Sequence, residues 1–516
     1  MAFERTRQAQ TGWAQKAIQR PTTNSQGSRV LIGLSQSQKV RHTRNRKNCG
    51  DSAITCLKGK ETESNVCGVV LLDPESSNVD SRLGIRDTLP MHRRTFLQTT
   101  AGGLVLAALP RRVQARAQPS DQIVLGMIGV GGMGTGRLRQ FLQHPDVRIG
   151  AICDVDRSHA DRAAGLVEKT AGYRPRTFGD FRQLLQDREI DAVSVVTPDH
   201  WHAIPTVRAF EAGKDVFVEK PLSYSVAEGR AMADASTEHK RVSQMGNHIH
   251  NDRPNYRRVV EIVQSGKLGK ITRVHCWRLC QTEPHTTTNP AVRPAELDYD
   301  FWLGPAPKRE YDPFRAHVTF RHFWDYSGGT FIDFWCHIAD VAVWALDLKA
   351  PRSVTAVGGR LFLTDPTETP DTLEAVLEYP QLLFMFSFRP TPLPGFEHMG
   401  AIGCLFEGTE ASVVCNYESH EIWAKGKKVE DFPRPEPSIP DSPGHLREFL
   451  DAIKTRNLET TCNVRYGHRL TKLGLLSNIA YRTGRRIQWD DARERIVDDD
   501  QANKLLSRKF RKPYKF

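Results

Sequence analysis

The chain has 516 residues, enough for two or three domains, with 39% hydrophobic content and a formal net charge of +12. Half of that charge sits in residues 1–90, which hold 14 Lys/Arg against 8 Asp/Glu, a net of +6. The basic balance thus belongs to a tail. Its run Arg41–Lys47 carries neither aromatic interleaving nor a fold signature, so no nucleic-acid partner is expected.

Residues 1–90 are rich in Ser, Asn, Gln, Thr and Arg and show no sustained period of 2 or 3.6, which reads as a disordered leader. The character changes at Met91. Arg93 and Arg94 form a basic start, Ala101–Leu109 is an apolar run too short to span a bilayer, and Ala115-Arg116-Ala117 offers a cleavage site. Residues 91–117 therefore read as an export signal of the twin-arginine kind, on RRTFL at Arg93–Leu97. Met91 is expected to be the working start, with a periplasmic or otherwise exported product, cytoplasmic if the signal is silent. No membrane insertion is expected after cleavage.

A first domain is expected over 118–247. An apolar strand from Ile123 leads into Gly129, Gly131 and Gly134, spaced GxGxxG, with Gly132 and Met133 between them, and then a helical pattern follows. The first glycine allows a tight turn, the second lets a pyrophosphate approach the backbone, and the third lets helix and strand pack closely. A second strand, Val147–Cys153, ends at Asp154, 20 residues after Gly134. An acid there suits the ribose hydroxyls of NAD and repels the 2′-phosphate of NADP, and Asp156 adds to that repulsion. Strands at Ile190–Pro198, Asp215–Pro221 and Arg241–Asn247, with helices near 202–212 and 226–239, complete a doubly wound sheet. Ligands of such a sheet sit outside the carboxyl ends of its strands. Three motifs lie there: Thr197-Pro198-Asp-His200-Trp-His202, Glu219-Lys220-Pro and Gln244-Met-Gly-Asn247-His248. From them Thr197, Pro198, His200, His202, Glu219, Lys220 and Asn247 are expected at the cofactor, although helix capping explains Asn247 equally well.

A second domain is expected over 248–516. Asp252–Gly266 reads as an amphipathic helix, and strands are read at 271–281, 353–361, 372–379, 382–389, 401–407 and 412–417. Between them lies GGTFIDFWCHIAD, Gly328–Asp340, a largely apolar helix whose Asp333, His337 and Asp340 fall at i, i+4 and i+7. Two readings are open from these residues alone. Asp340 faces solvent and Asp333 merely orients a core histidine, or the stripe faces a functional cleft.

GVGGMG, TPDHWH, EKP, the WLGPAP of Trp302–Pro307 and GGTFIDFWCHIAD, in this order, resemble the Gfo/Idh/MocA oxidoreductase family over nearly all of Ile123–Phe516. The resemblance implies an α/β fold: an N-terminal Rossmann domain, then an α/β domain with a large open, mainly antiparallel sheet. It implies that Lys220, Asp333 and His337 are catalytic and meet at the nicotinamide. Their chemistry fits an NAD(P)-dependent oxidoreductase working on a sugar or polyol hydroxyl. A neutral His takes the hydroxyl proton, a nearby ammonium steadies developing alkoxide, and Asp333 orients the ring or binds a substrate hydroxyl. His248, Arg321, Tyr326 and Trp324 are further candidates for the sugar site, with core packing an equal explanation for Trp324.

Export and NAD pull against each other, because no free NAD pool is expected outside the cytoplasm. A cofactor loaded before export has to be regenerated in place. That leaves sugar–sugar oxidoreduction, or a glycosidase working by transient oxidation and elimination like the NAD-dependent N-acetylgalactosaminidases on this fold; the third possibility is a non-catalytic NAD-binding protein. Seven scattered cysteines after Met91, with no CxxC, argue against a disulfide framework, and the histidines show no metal-ligand spacing, so no metal is expected. A carbohydrate substrate and a homo-oligomer are the expected partners. The loops at 282–293 and 391–399 are expected to set specificity.

Overall fold

The computed structural model describes residues 122–516, and the expected leader and export signal lie outside the described residues. The chain begins with alternating strands and helices: β1 (Ile123–Ile128), α1 (Gly132–Phe141), β2 (Val147–Cys153), α2 (Arg157–Ala171), β3 (Arg176–Phe178), α3 (Phe181–Leu185), β4 (Ala192–Val195), α4 (Ala203–Glu211), β5 (Asp215–Val218), α5 (Val226–Glu238) and β6 (Ser243–Met245). Three of these helices, α2, α3 and α5, start where the sequence supplies a side-chain acceptor. Asp156 caps α2 by accepting from the amides of Ser158 and His159, and Ser225 caps α5 by accepting from the Glu228 amide.

The six strands pair in parallel in the order β3-β2-β1-β4-β5-β6. Helices cover both faces, which is why β1, β4 and β5 are near-continuous apolar runs rather than alternating ones. One face is completed from far along the chain. Leu446, Phe449 and Leu450, from a helix near the end of the chain, pack with Phe141 and Phe217 against this sheet.

After α6 (Ile249–Asp252) and α7 (Pro254–Gln264) comes β7 (Ile271–Leu279), the central strand of a second sheet. The chain continues through α8 (Tyr299–Leu303), α9 (Gly329–Ile338), α10 (Asp340–Ala345), β8 (Ser353–Gly359), β9 (Thr372–Tyr379), β10 (Leu382–Arg389), β11 (Ile402–Gly408), β12 (Ser412–Cys415), β13 (His420–Ala424) and β14 (Lys427–Lys428). It ends with α11 (His445–Thr455), α12 (Val464–Thr483), β15 (Ile487–Asp490), β16 (Arg495–Ile496) and a short helical turn. The ten strands run β14-β13-β12-β11-β7-β10-β9-β8-β15-β16, antiparallel except for the β7–β10 pair. The expected open, mainly antiparallel sheet is present. Its short outer strands β13–β16 were not read from the sequence, because two to five residues show no resolvable period.

One face of this sheet carries helices. Phe331 and Trp335 of α9 lie on Phe384 and Phe386 of β10, with ring centroids 5.2–5.6 Å apart. Cys276, Cys404 and Cys415 stand in register across β7, β11 and β12 on that face, and the Cys276 and Cys404 sulfurs are 3.4 Å apart. All seven cysteines among the described residues are buried and free. No helix among those residues is long and apolar enough to cross a membrane.

The segment that leads into α8 and on towards α9 returns to the first domain. Leu297 bridges Asp156, the Arg157 amide donates to Glu296 O (3.1 Å), and the Asp298 amide donates to Val155 O (2.9 Å). Farther along, Trp201 Nε1 donates to Trp302 O (2.9 Å). Residues 296–326 thus form a strap across the mouth of the first sheet, with a small core of Trp302, Phe323 and Tyr326. The final residues fasten it, since Arg511 donates to Gly304 O and Arg508 donates to His200 O.

Candidate active site

A cavity of about 380 Å3 runs between the carboxyl ends of β1, β2 and β4 and the strap. Its floor is the glycine turn. Gly129 has φ +84°, and a Cβ there would sit 2.6 Å from Val196 O; a Cβ on Gly134 would sit 2.1 Å from Gly129 O. Only glycine fits either position. A Cβ on Gly132 would meet nothing within 4 Å, so the backbone at the start of α1 is open to the cavity. Exposed amides at a helix N-terminus beside a bare backbone are what a pyrophosphate needs. Gly129, Gly131, Gly132, Met133 and Gly134 all line the cavity, as expected.

Asp154 lies at the tip of β2 on the same wall. Its carboxylate accepts from the amides of Val130 (2.8 Å) and Asp156 (2.9 Å), which fixes its direction. Each oxygen keeps a lone pair for a ribose hydroxyl. These residues fit a dinucleotide without rearrangement.

At the other end the cavity meets Lys220, Asp333 and Arg321. Lys220 Nζ donates to Asp333 Oδ1 (2.5 Å) and to the Asp333 carbonyl (3.3 Å). Arg321 Nε stands 3.7 Å from the second oxygen. Burial alone would raise the Asp333 carboxyl, but the Lys220 charge and then Arg321 outweigh it and hold the group well below the usual carboxylate range. His337 follows one turn along α9, beside His248, with ring centroids 5.6 Å apart. Burial, then the charge of Lys220, pushes His337 well below its ordinary value. Its imidazole is therefore neutral at neutral pH, and its buried Nδ1 has no partner. Lys220, Asp333, Arg321, His337 and His248 are thus brought together, the first three on the cavity wall and the two histidines next to them but not lining it.

The structure corrects several expectations. Asp333 does not orient His337, because its oxygens are engaged by Lys220 and Arg321. Asp340 is not solvated either. It is 0% exposed and accepts from Asn247 Nδ2 (2.9 Å) and the Tyr466 hydroxyl, with His250 Nε2 3.2 Å away. Asn247, expected at the cofactor, instead ties β6 to α9 by donating also to Cys336 O (2.9 Å). His200 is 1% exposed behind the cavity wall, its Nε2 3.0 Å from Trp302 O, while its neighbour Trp201 does line the cavity. Tyr326 is 0% exposed within the strap core, so it offers nothing to a sugar. Trp324 lies over Tyr481 outside the cavity.

Other expected residues reach the cavity with their polar atoms already used. His202 places both ring nitrogens on carbonyls, Pro221 O at 2.7 Å and Thr197 O at 2.9 Å. Glu219 receives Arg137 Nε at 2.9 Å. Thr197 and Pro198 line the wall as expected. Of the two loops expected to set specificity, 282–293 reaches the cavity through Asn289. The 391–399 loop instead packs Leu393, Phe396 and Met399 on Trp277, on the sheet face opposite α9.

Sequence reasoning missed Asp199, His159, His317 and Asn289, all on the cavity wall. Asp199 is buried, accepts from the Ser327 hydroxyl, and is raised by that burial. It stood inside a motif already singled out and could have been found there. His317 and Asn289 come from irregular segments of the second domain, where no spacing rule applies.

Residues 123–247 match the oxidoreductase family's NAD-binding Rossmann fold, and residues 256–516 match its C-terminal alpha/beta domain. The chain belongs to the Gfo/Idh/MocA oxidoreductase family, and its first domain is an NAD-binding one. A glycosyl hydrolase family 109 protein of Saccharopolyspora erythraea is 32% identical over 206 residues, covering 35% of this chain and 44% of that protein. An alpha-N-acetylgalactosaminidase of Shewanella oneidensis is 28% identical over 204 residues, covering 35% and 44%. The matched region thus spans less than half the length of these relatives. Among solved structures, the WlbA dehydrogenase of Bordetella pertussis, with NADH and UDP-GlcNAcA, superimposes with a TM-score of 0.52 at 20% identity, covering 72% of this chain and 99% of that one. The aldose-aldose oxidoreductase of Caulobacter crescentus gives 0.51 at 18%, covering 71% and 99%. At these identities the likeness is one of fold.

Proposed function

We propose that this protein is an NAD-dependent oxidoreductase acting on a sugar or polyol hydroxyl. The observation that carries the reading is the ammonium–carboxylate pair Lys220–Asp333 on the inner wall of the glycine-floored cavity, with a neutral histidine that has an unpartnered nitrogen one turn along the same helix. Bound NAD supplies the hydride acceptor. His337 takes the hydroxyl proton in its neutral form, and Asp333 nearby steadies the imidazolium once it forms. Lys220 donates toward the substrate oxygen as negative charge develops there. Asp333 keeps the Lys220 side chain aimed into the cavity. His248 and Arg321 flank the same point and contact the substrate.

The strap supports a cofactor that stays bound through turnover, because residues of both domains close over the cavity. Such a protein balances its redox chemistry within one site, as export through a twin-arginine signal at 91–117 would require. A second reading, oxidation followed by elimination of a glycosidic substituent and reduction back, is favoured by the names of the curated relatives. We also infer a homo-oligomer. Val357 and Leu383 are 64% and 44% exposed on the second sheet, a surface suited to a second copy.

The test is to incubate purified protein with a panel of sugars and aryl glycosides without added NAD. Ketosugar and polyol formed together indicate oxidoreduction, and released aglycone indicates the second reading. No product from any member, with NAD bound, would sink both.

A further inference from the structure

At the opposite end of the cavity from Lys220, three side chains converge that the reaction does not use. Asp156 sits just beyond β2, His159 lies in the first turn of α2, and His317 comes from the strap. His317 Nε2 is 3.2 Å and His159 Nε2 is 3.9 Å from Asp156 Oδ2. The two rings are tilted against each other with centroids 4.8 Å apart. One ligand atom from each residue lies within 4.8 Å of the others. We propose that Asp156, His159 and His317 form a binding site for a single divalent transition-metal ion of the zinc class, which bolts the strap to the NAD-binding domain.

The hydrogen bonds point the same way. Asp156 spends one oxygen on its cap: Oδ1 accepts from the Ser158 amide (2.9 Å) and hydroxyl (2.5 Å). That leaves Oδ2 turned to the histidines with its direction fixed. His317 Nε2 is buried and makes no hydrogen bond, although a carboxylate oxygen lies 3.2 Å away. A ring nitrogen close to an oxygen but misdirected for N–H donation is one whose lone pair points beside that oxygen, where an ion bridging both would sit. His159 turns its other nitrogen, Nδ1, to Asp154 Oδ2 at 3.7 Å.

The distances need little change. Zinc bonds of about 2.0–2.2 Å place two ligand atoms on one ion roughly 3.3 Å apart in a tetrahedron and at most about 4.2 Å apart. The two measured pairs already fall near that range, and bringing a pair from 4.8 Å to the tetrahedral separation takes a combined side-chain movement of about 1.5 Å. Two imidazoles and one carboxylate favour zinc over magnesium or calcium, which prefer all-oxygen ligands. Residues 156, 159 and 317 match no metal spacing in sequence, because the third ligand arrives from another domain.

The test uses tag-free full-length protein, stripped with chelator and titrated with Zn2+ by calorimetry, with metal content read by elemental analysis. One zinc per chain is expected, and H159Q and H317Q are each expected to lose it while circular dichroism stays unchanged. Co2+ substitution in the unmutated protein gives a reading independent of variant folding. Visible ligand-field bands without thiolate charge transfer are expected. Thiolate bands would place the metal on a cysteine and overturn the assignment. So would the absence of stoichiometric zinc in the unmutated protein, or full zinc binding by the doubly substituted H159Q/H317Q.

Discussion

Asp333 and Asp340 lie seven residues apart around one helical segment, and the structure treats them in opposite ways. Asp340 is the hub of a buried network in which Asn247 and Tyr466 donate and His250 stands within reach. Asp333 faces the cavity beside a histidine whose nitrogen has no partner. Buried polar groups are normally satisfied, and His337 Nδ1 is left open next to the carboxylate that faces the cavity. The difference shows how one stripe serves two purposes: its first turn is left incomplete for a ligand, and its last residue is completed for stability.

Substitutions on each side should separate the two roles. H337A should cut turnover about 10²–10⁴-fold with NAD still bound and the melting temperature little changed, as read by steady-state rates and nucleotide extraction. Equal turnover would return His337 to the packing side of the comparison. K220A should cost a factor of the same order and should also loosen Asp333. If the two act as one unit, adding D333N to K220A should cost much less than D333N alone, a comparison made in a double-mutant cycle. D340A should do the reverse. Leaving buried donors without their acceptor costs about 1–3 kcal/mol each, so denaturant melts should shift by roughly 3 kcal/mol or more while the folded fraction keeps its activity. The smallest effect is expected at the far wall. D154S should weaken NAD roughly tenfold and narrow its advantage over NADP, measured by nucleotide titration.

Acid should sharpen the comparison further. His337 has a folded-state pKa below its unfolded value, so its protonation favours the unfolded chain, and stability falls as pH drops below about 6.5. Asp333 is depressed too, so its contribution is present above about pH 4 and is lost as pH falls through its folded value. Both act in the acid direction. H337A should therefore flatten the pH dependence of stability between about pH 6.5 and 4, and the basic form of His337 should keep turnover level well below pH 6.5.

Much of the fold was legible because long elements carry strong periods. The glycine turn, the parallel strands and the amphipathic α7 announced themselves, and Lys220 and His337 stood in motifs. What was not legible depends on side-chain direction. His200 and His202 are two residues apart in one turn, yet one is sealed behind Trp302 and the other lines the cavity. Asn247 and His248 are neighbours, yet one ties β6 to α9 and the other faces His337. A motif locates a loop, while the rotation of each residue within it is decided by packing partners far away in sequence. The strap is the extreme case. Trp302–Pro307 marked the family, but that it crosses to Trp201 could be seen only in three dimensions.

The row of thiols on the helix face of the second sheet gives the protein a built-in clock. Burial raises Cys404, as it does Cys336, pushed up to about 12, and every cysteine among the described residues is covered. Thiol reagents attack the thiolate, so none of these sulfurs can react at an appreciable rate while its cover stays in place. Cys153 lines the cavity and Cys280 follows the end of β7, whereas Cys276, Cys404 and Cys415 react only when strands part from helices. The order and rate of labelling, followed by mass spectrometry, would therefore record which layers of the molecule breathe and how often.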